Sequence, residues 1–274
     1  MEPKLHRRVQ RYGWDLAVDD YDRHWVPVLS ASAEHCVYLV APQSGERVLD
    51  IASGTGIAAF IAAKRVSAEG DVVATDLSQK MVDAIQATAQ REGIGNIRCE
   101  RVDAEDLAYP DASFDAAVCS LGLMYPAVPQ RAIEQMYRVL RPGGCVAVCV
   151  WGRRDRCGWN AIFPIVDARV NSDVCPLFFS LGGEGALSYG FERAGFSGIS
   201  DERVTCTLDW KDGDEACDAA LPGGPVALPY SRMTPEQRAD VRAEYVASLE
   251  PYRREDGSYQ VAGEFVYLVA MKPK

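Results

Sequence analysis

The chain has 274 residues, 48% hydrophobic and 25% charged, with a formal net charge of −10. That is enough for one large domain with a sizeable core, and so acidic a surface repels nucleic acid on average. It contains no run of about 18 apolar residues, the length that a membrane-spanning helix needs.

The opening MEPKLHRRVQRYGWD lacks the apolar stretch of a secretory signal, so a cytoplasmic location is expected. Residues 1–40 carry Tyr12, Trp14, Tyr21 and Trp25 and read as a helical N-terminal cap. Lys4, Arg7, Arg8 and Arg11 within it read as a solvated helix face.

RVLDI (47–51) is a short buried strand and GIAAFIAAKRV (56–66) a helix. DVVATD (71–76) is a second strand. SQKMVDAIQATAQREG (78–93) is a helix with Ser78 as N-cap and Gly93 as its stop. NIRCERVD (96–103) and FDAAVCS (114–120) are the third and fourth strands. PQRAIEQMYRVL (129–140) is a helix ended by RPGG (141–144), and CVAVCVW (145–151) is a fifth strand.

Residues 152–235, rich in Gly and Pro, read as a lid on the substrate side. Within them NAIFPIVDARV (160–170) and ALSYGFERAGF (186–196) look helical, and GISDERVTCTLDW (198–210) ends as a strand. PEQRADVRAEYVASLEPY (235–252) is an amphipathic helix and VAGEFVYLVAMK (261–272) a last strand. Short strands alternating with helices predict an α/β fold: a doubly wound parallel sheet with right-handed crossovers. In such sheets ligands bind beyond the carboxyl ends of the strands.

Nine cysteines are scattered with no C-x-x-C pair, which suggests neither a zinc ribbon nor a disulfide framework. Cys145 and Cys149 share one face of a strand and, with Cys119, read as small core residues rather than a soft-metal site. No metal is expected.

The stretch VLDIASGTGIAAF (48–60) brings Asp50 to a turn containing Gly54 and Gly56. The pattern G-x-G-x-x-A is usually read as a dinucleotide site. A pyrophosphate would meet the Asp50 carboxylate there, with no Lys or Arg nearby in sequence to offset it. S-adenosylmethionine has cationic groups and no phosphate. Asp50 can face its amino-acid end, where the glycines allow close backbone approach. Asp76 can accept from both ribose hydroxyls, and Asp103 from the adenine amino group.

VLDIASGTG, VVATDLSQKMV, VDAEDLAYPDASFDAAVCS and RVLRPGGCVAV resemble the successive motifs of class I S-adenosylmethionine-dependent methyltransferases. Within that family they are most similar to the ubiquinone and menaquinone biosynthesis branch. The resemblance is strong over residues 10–151 and loose beyond, and it implies a methyltransferase domain over residues 41–274. It implies Asp50, Ala52, Gly54, Thr55 and Gly56 around the methionine moiety. It puts Asp76 on the ribose, Leu77 and Met81 on the adenine, and Asp103, Ala104 and Glu105 at the adenine edge. Ser120 and Leu121 would lie under the sulfonium, with Tyr21 covering the cofactor. The strand order implied is 3-2-1-4-5-7-6, the last strand antiparallel. Ser53 stands where the family commonly has Gly or Cys.

The expected function is methyl transfer from S-adenosylmethionine to a small apolar or aromatic acceptor, releasing S-adenosylhomocysteine. Tyr125 and Trp151 are expected to rim the acceptor pocket. No catalytic residue is evident in the motifs; His24 in YDRHW is the one candidate base, if the N-terminal segment folds over the cofactor. Two alternatives remain open: a protein that binds S-adenosylmethionine but catalyses another biosynthetic reaction, and an NAD-dependent oxidoreductase.

Overall fold

The computed structural model describes residues 2–170 and 175–274. The chain opens with two helices, α1 (Pro3–His24) and α2 (Val26–Val40). The alternating part comes next as β1 (Arg47–Ile51), α3 (Ile57–Val66), β2 (Asp71–Asp76), α4 (Gln79–Glu92), β3 (Ile97–Arg101), β4 (Phe114–Ser120), α5 (Pro129–Val139) and β5 (Leu140–Trp151). The last part holds α6 (Ile162–Val170), α7 (Ala186–Ala194), β6 (Ser197–Trp210), α8 (Gly213–Ala220), α9 (Ala227–Ser231), α10 (Pro235–Leu249) and β7 (Tyr259–Met271).

The strands form one sheet in the order β3-β2-β1-β4-β5-β7-β6. β1 to β5 are parallel, and β7 runs antiparallel to both β5 and β6. This is the order the resemblance implied. The central strands are hydrophobic on both faces: Val48, Leu49 and Ile51 of β1 and Val146 to Val150 of β5 are all buried. Such strands need helices on either side.

Local signals set the helix ends. The Ser78 hydroxyl accepts from the Met81 N–H, and Gly93 ends α4 in the left-handed region at φ 67°. Thr234 and Gln237 form a reciprocal capping box on α10.

The structure differs from the sequence reading in three places. The helix before RPGG ends as expected, but β5 begins at Leu140 and not at Cys145, because Gly143 N–H donates to Lys272 O and Lys272 N–H to Gly144 O, at 2.8 and 2.9 Å. That long-range pairing takes the Pro-Gly-Gly run into the strand, with Gly143 left-handed at φ 81°. The third strand stops at Arg101. Two short helices, α8 and α9, occupy the stretch read as irregular, and Ala216, Cys217, Ala219, Ala220 and Leu221 are buried there.

The nine cysteines form no disulfide, and among the described residues no three His, Cys, Asp or Glu side chains are grouped to hold a metal. No described helix is long and apolar enough to cross a membrane.

Candidate active site

At the carboxyl ends of β1, β2 and β4, beneath α1, lies a cavity partly open to solvent, with about 1000 Å³ of empty space. One end is lined by Ala52, Gly54, Asp76, Leu77, Met81, Val102 to Glu105, Ser120 and Leu121. An annex of about 290 Å³ shares Tyr21, Leu29, Ala52, Ser120 and Leu121 with it and reaches Asp50 and Ser53.

The β1–α3 turn builds the floor. Ser53 N–H donates to Thr75 O at 2.9 Å, and the Ser53 hydroxyl to the Asp50 and Thr75 carbonyls. This pins the turn to β2 and gives Ser53 a structural role. Gly54 (φ +57°) and Gly56 (φ +96°) are left-handed, where other residues are strained. A Cβ on Gly54 would come 3.4 Å from the Tyr21 ring, in cavity space. Gly56 has another reason to be glycine: its Cβ would meet Phe60 at 2.9 Å and Ile85 at 3.1 Å. Ala52 (φ 53°) and Leu121 (φ 58°) are left-handed without being glycine, and both line the cavity. Strained residues of this kind cluster at functional sites.

Three carboxylates meet this end. Asp50 is 1% exposed, and its Oδ2 has no hydrogen-bond partner. Burial pushes its carboxyl up to about 8, against the Ala59 N–H that favours the charged form. Asp76 accepts from Gly54 N–H at 3.0 Å and Ser78 N–H at 2.8 Å. Burial raises it to about 6 despite those donors. Asp103 accepts from Glu105 N–H at 2.9 Å, and its Oδ2 lies 2.8 Å from Arg7 Nε. Burial, with Asp76 and Asp50 nearby, raises the Tyr21 hydroxyl above its ordinary value.

The other end is aromatic. Tyr21, Trp14, Tyr125, Phe178 and Trp159 form a chain of edge-to-face contacts, with ring centroids 5.6, 5.1, 5.6 and 5.4 Å apart. Trp151 and Trp25 close the set, at 5.0 and 5.9 Å from Trp159. Trp25 Nε1 donates to Ala219 O at 2.7 Å, which ties the α1–α2 joint to α8. His6 Nε2–H donates to the Tyr125 carbonyl at 2.8 Å, the tautomer an acceptor carbonyl requires.

The structure thus gathers Tyr21, Ala52, Gly54, Asp76, Leu77, Met81, Asp103, Ala104, Glu105, Ser120, Leu121, Tyr125 and Trp151 around one cavity, with Asp50 in its annex. Thr55 is buried and, like Gly56, stands outside the lining. His24 is a correction. Its Nδ1 lies 3.8 Å from Glu215 Oε1 on α8, and it does not line the cavity, because its side of α1 is buried against α8. Arg7 is another. Only partly solvated, it lines the cavity and donates to Glu105 Oε2 at 2.9 Å. Glu105 itself is a brace: its Oε1 accepts from Ala127 and Val128 N–H at 2.7 and 3.3 Å. Trp159 and Gln10 were not anticipated. Gln10 lies one helical turn from both Arg7 and Trp14, a spacing visible in the sequence.

Residues 48–144 match the methyltransferase domain family. The chain carries a methyltransferase domain. It is similar to the ubiquinone/menaquinone biosynthesis C-methyltransferase UbiE of Hydrogenovibrio crunogenus, with 40% identity over 115 residues, 42% of this chain and 45% of that one. The match thus spans less than half the length of that relative. Nocamycin O-methyltransferase of Saccharothrix syringae is 28% identical over 252 residues, covering 86% of this chain and 89% of that one. The YcgJ protein of Bacillus subtilis shares the fold at a TM-score of 0.63 and 16% identity, over 89% of this chain and 99% of that one.

The methyltransferase domain fits S-adenosylmethionine on its own chemistry. The Asp50 oxygen without a partner suits a cationic amino group, the space beside Gly54 is one a Cβ would fill, and no phosphate-binding cation lies in the turn.

Proposed function

We propose that the protein transfers a methyl group from S-adenosylmethionine to a small apolar, aromatic acceptor, releasing S-adenosylhomocysteine. The observation that carries this reading is the two-ended cavity: carboxylates and glycines at one end open directly into a Trp, Tyr and Phe chamber at the other. When bound, the cofactor supplies an electrophilic methyl group on a sulfonium whose leaving thioether is neutral.

The chain's own residues would bind, orient and exclude water. Asp50 would face the ammonium and Asp76 the ribose hydroxyls. Asp103 would accept at the adenine edge, with Leu77 and Met81 against the ring. Tyr125, Trp151, Trp159 and Phe178 would fix a flat acceptor by apolar burial and edge contacts. Alignment of this kind can lower a barrier by roughly 7–11 kcal/mol. Residues 1–40 would act as a lid, since Arg7, Gln10, Trp14, Tyr21 and Trp25 of this segment line the cavity, and Trp159 and Phe178 suggest the same for 152–235. Nine cysteines without a disulfide support a reducing, cytoplasmic setting.

The test is an acceptor screen in which mass spectrometry follows both S-adenosylhomocysteine and a product heavier by one methylene. Flat apolar acceptors should yield both in equal amounts. Tight cofactor binding with an altered but unmethylated acceptor would replace this reading with that of a methyltransferase-fold enzyme doing other chemistry. Stabilisation by NAD and none by S-adenosylhomocysteine would remove it altogether.

A further inference from the structure

Helix α1 has two faces with different partners. Arg7, Gln10, Trp14 and Tyr21 point into the cavity. On the far side Leu5, Val9, Tyr12 and Leu16 repeat at spacings of four, three and four, the seam pattern of paired helices. Leu5, Tyr12 and Leu16 are 48%, 45% and 54% exposed. Three large apolar side chains in one line on a single helix form a patch rather than scattered surface residues.

The charges beside this seam are sorted along the helix. Lys4 and Arg8 flank its first half, Asp15 and Asp19 its second. Among the described residues Lys4, Arg8 and Asp19 have no partner within the chain, while Asp15 accepts from the Ser78 hydroxyl at 2.6 Å and Lys80 N–H at 3.3 Å and lies 3.9 Å from Arg11 Nε.

We infer that this outer face of α1 pairs antiparallel with the same face of a second copy of the chain. In that register Leu5 lies opposite the partner's Leu16, and Val9 opposite the partner's Tyr12. Lys4 then approaches the partner's Asp19. The two-fold axis repeats each contact, as an isologous interface requires. A parallel pairing would put like charges together. An anionic bilayer would attract only the first half of the seam and repel the second. The seam is short, so the dimer is weak and reversible, of the small-interface class. Because the inner face of the same helix lines the cavity, the dimer would hold that wall in place.

Sedimentation velocity on the full chain, from low micromolar to submillimolar concentration, tests this. A monomer–dimer equilibrium is expected, weakened at least about tenfold by Leu5→Lys or Leu16→Lys. Both substitutions are at exposed positions, and circular dichroism and melting temperature should not change. Lys4→Asp should weaken the dimer, and adding Asp19→Lys should restore it. A chain that stays monomeric throughout, or a dimer indifferent to Leu5→Lys and Leu16→Lys, overturns the proposal. So does a monomer that co-sediments with phosphatidylglycerol vesicles through Leu16, which would make the face a membrane contact.

Discussion

Arg7 on α1 holds Asp103, just beyond β3, with Nε 2.8 Å from Oδ2, and the same guanidinium reaches Glu105 at 2.9 Å. The first helix is thus fastened to the carboxylate assigned to the adenine edge. Arg7→Ala should loosen α1 and weaken S-adenosylhomocysteine binding together. The pair is partly exposed, so a stability loss of about 1 kcal/mol is expected. Hydrogen exchange should rise in residues 3–14 of the variant and fall again on ligand binding. Unchanged exchange with unchanged affinity would show that Arg7 neither latches the helix nor serves the site.

Asp76→Asn tests the ribose assignment. Asp76 already accepts from Gly54 and Ser78 N–H, so some stability will be lost with the charge. The larger effect should be on affinity, on the order of 1.5–3 kcal/mol for each charged hydrogen bond removed. Calorimetry with S-adenosylhomocysteine and a melting curve separate the two. A large fall in melting temperature with affinity intact would make Asp76 a brace for the β2–α4 turn and nothing more.

Asp50 gives a prediction in pH. Its folded carboxyl keeps its proton to about pH 8, against an ordinary value of 3.8. The folded apo chain therefore binds more protons than the unfolded one over that window. The contribution to stability is full below the ordinary value and is lost as pH rises through about 8. An ammonium ligand favours the carboxylate, so binding releases a proton. Affinity for S-adenosylhomocysteine should rise between about pH 6 and 8, by up to about tenfold per unit. Titrations in buffers of different ionisation enthalpy count the proton, and Asp50→Asn should abolish its release. A flat profile with no proton release would place Asp50 away from the ammonium.

The sheet and the carboxylate end of the cavity were legible because their signals are local. Asp50, Gly54 and Asp76 each sit at the end of a strand whose apolar run announces it, and the glycine turn sets where α3 begins. Arg7 was not legible. A basic residue on an amphipathic helix looks solvated, and only the tertiary fold brings Asp103 and Glu105 to it. His24 failed for the related reason that it shares the buried face of Gly13 and Ala17, and sequence does not say that this face packs on α8 and α9 instead of on the cavity. The early start of β5 was not legible because the pairing that draws RPGG into the strand comes from Lys272, far along the sequence. Trp159 lies in a 3₁₀ turn within the Gly- and Pro-rich stretch, where no periodicity marks an inward face.

The aromatic end carries the last prediction. Trp151 ends β5, is 3% exposed, and packs 4.6 Å from Phe265 and 5.0 Å from Trp159. Trp159 is fully buried against Trp25 and Phe178 as well. Replacing either with Ala would cost about 3–5 kcal/mol through the hole left behind, so such variants would confuse folding with recognition. Trp151→Phe keeps a ring and loses less volume. If this wall holds the acceptor, Trp151→Phe should raise KM for the acceptor several-fold and leave the Kd for S-adenosylhomocysteine unchanged, since Asp50, Asp76 and Gly54 are untouched. An acceptor larger by one methyl group should lose less than the parent acceptor, because the variant has the added room. A weakened cofactor with an unchanged acceptor KM would move the acceptor away from Trp151 and put this wall behind the sulfonium instead.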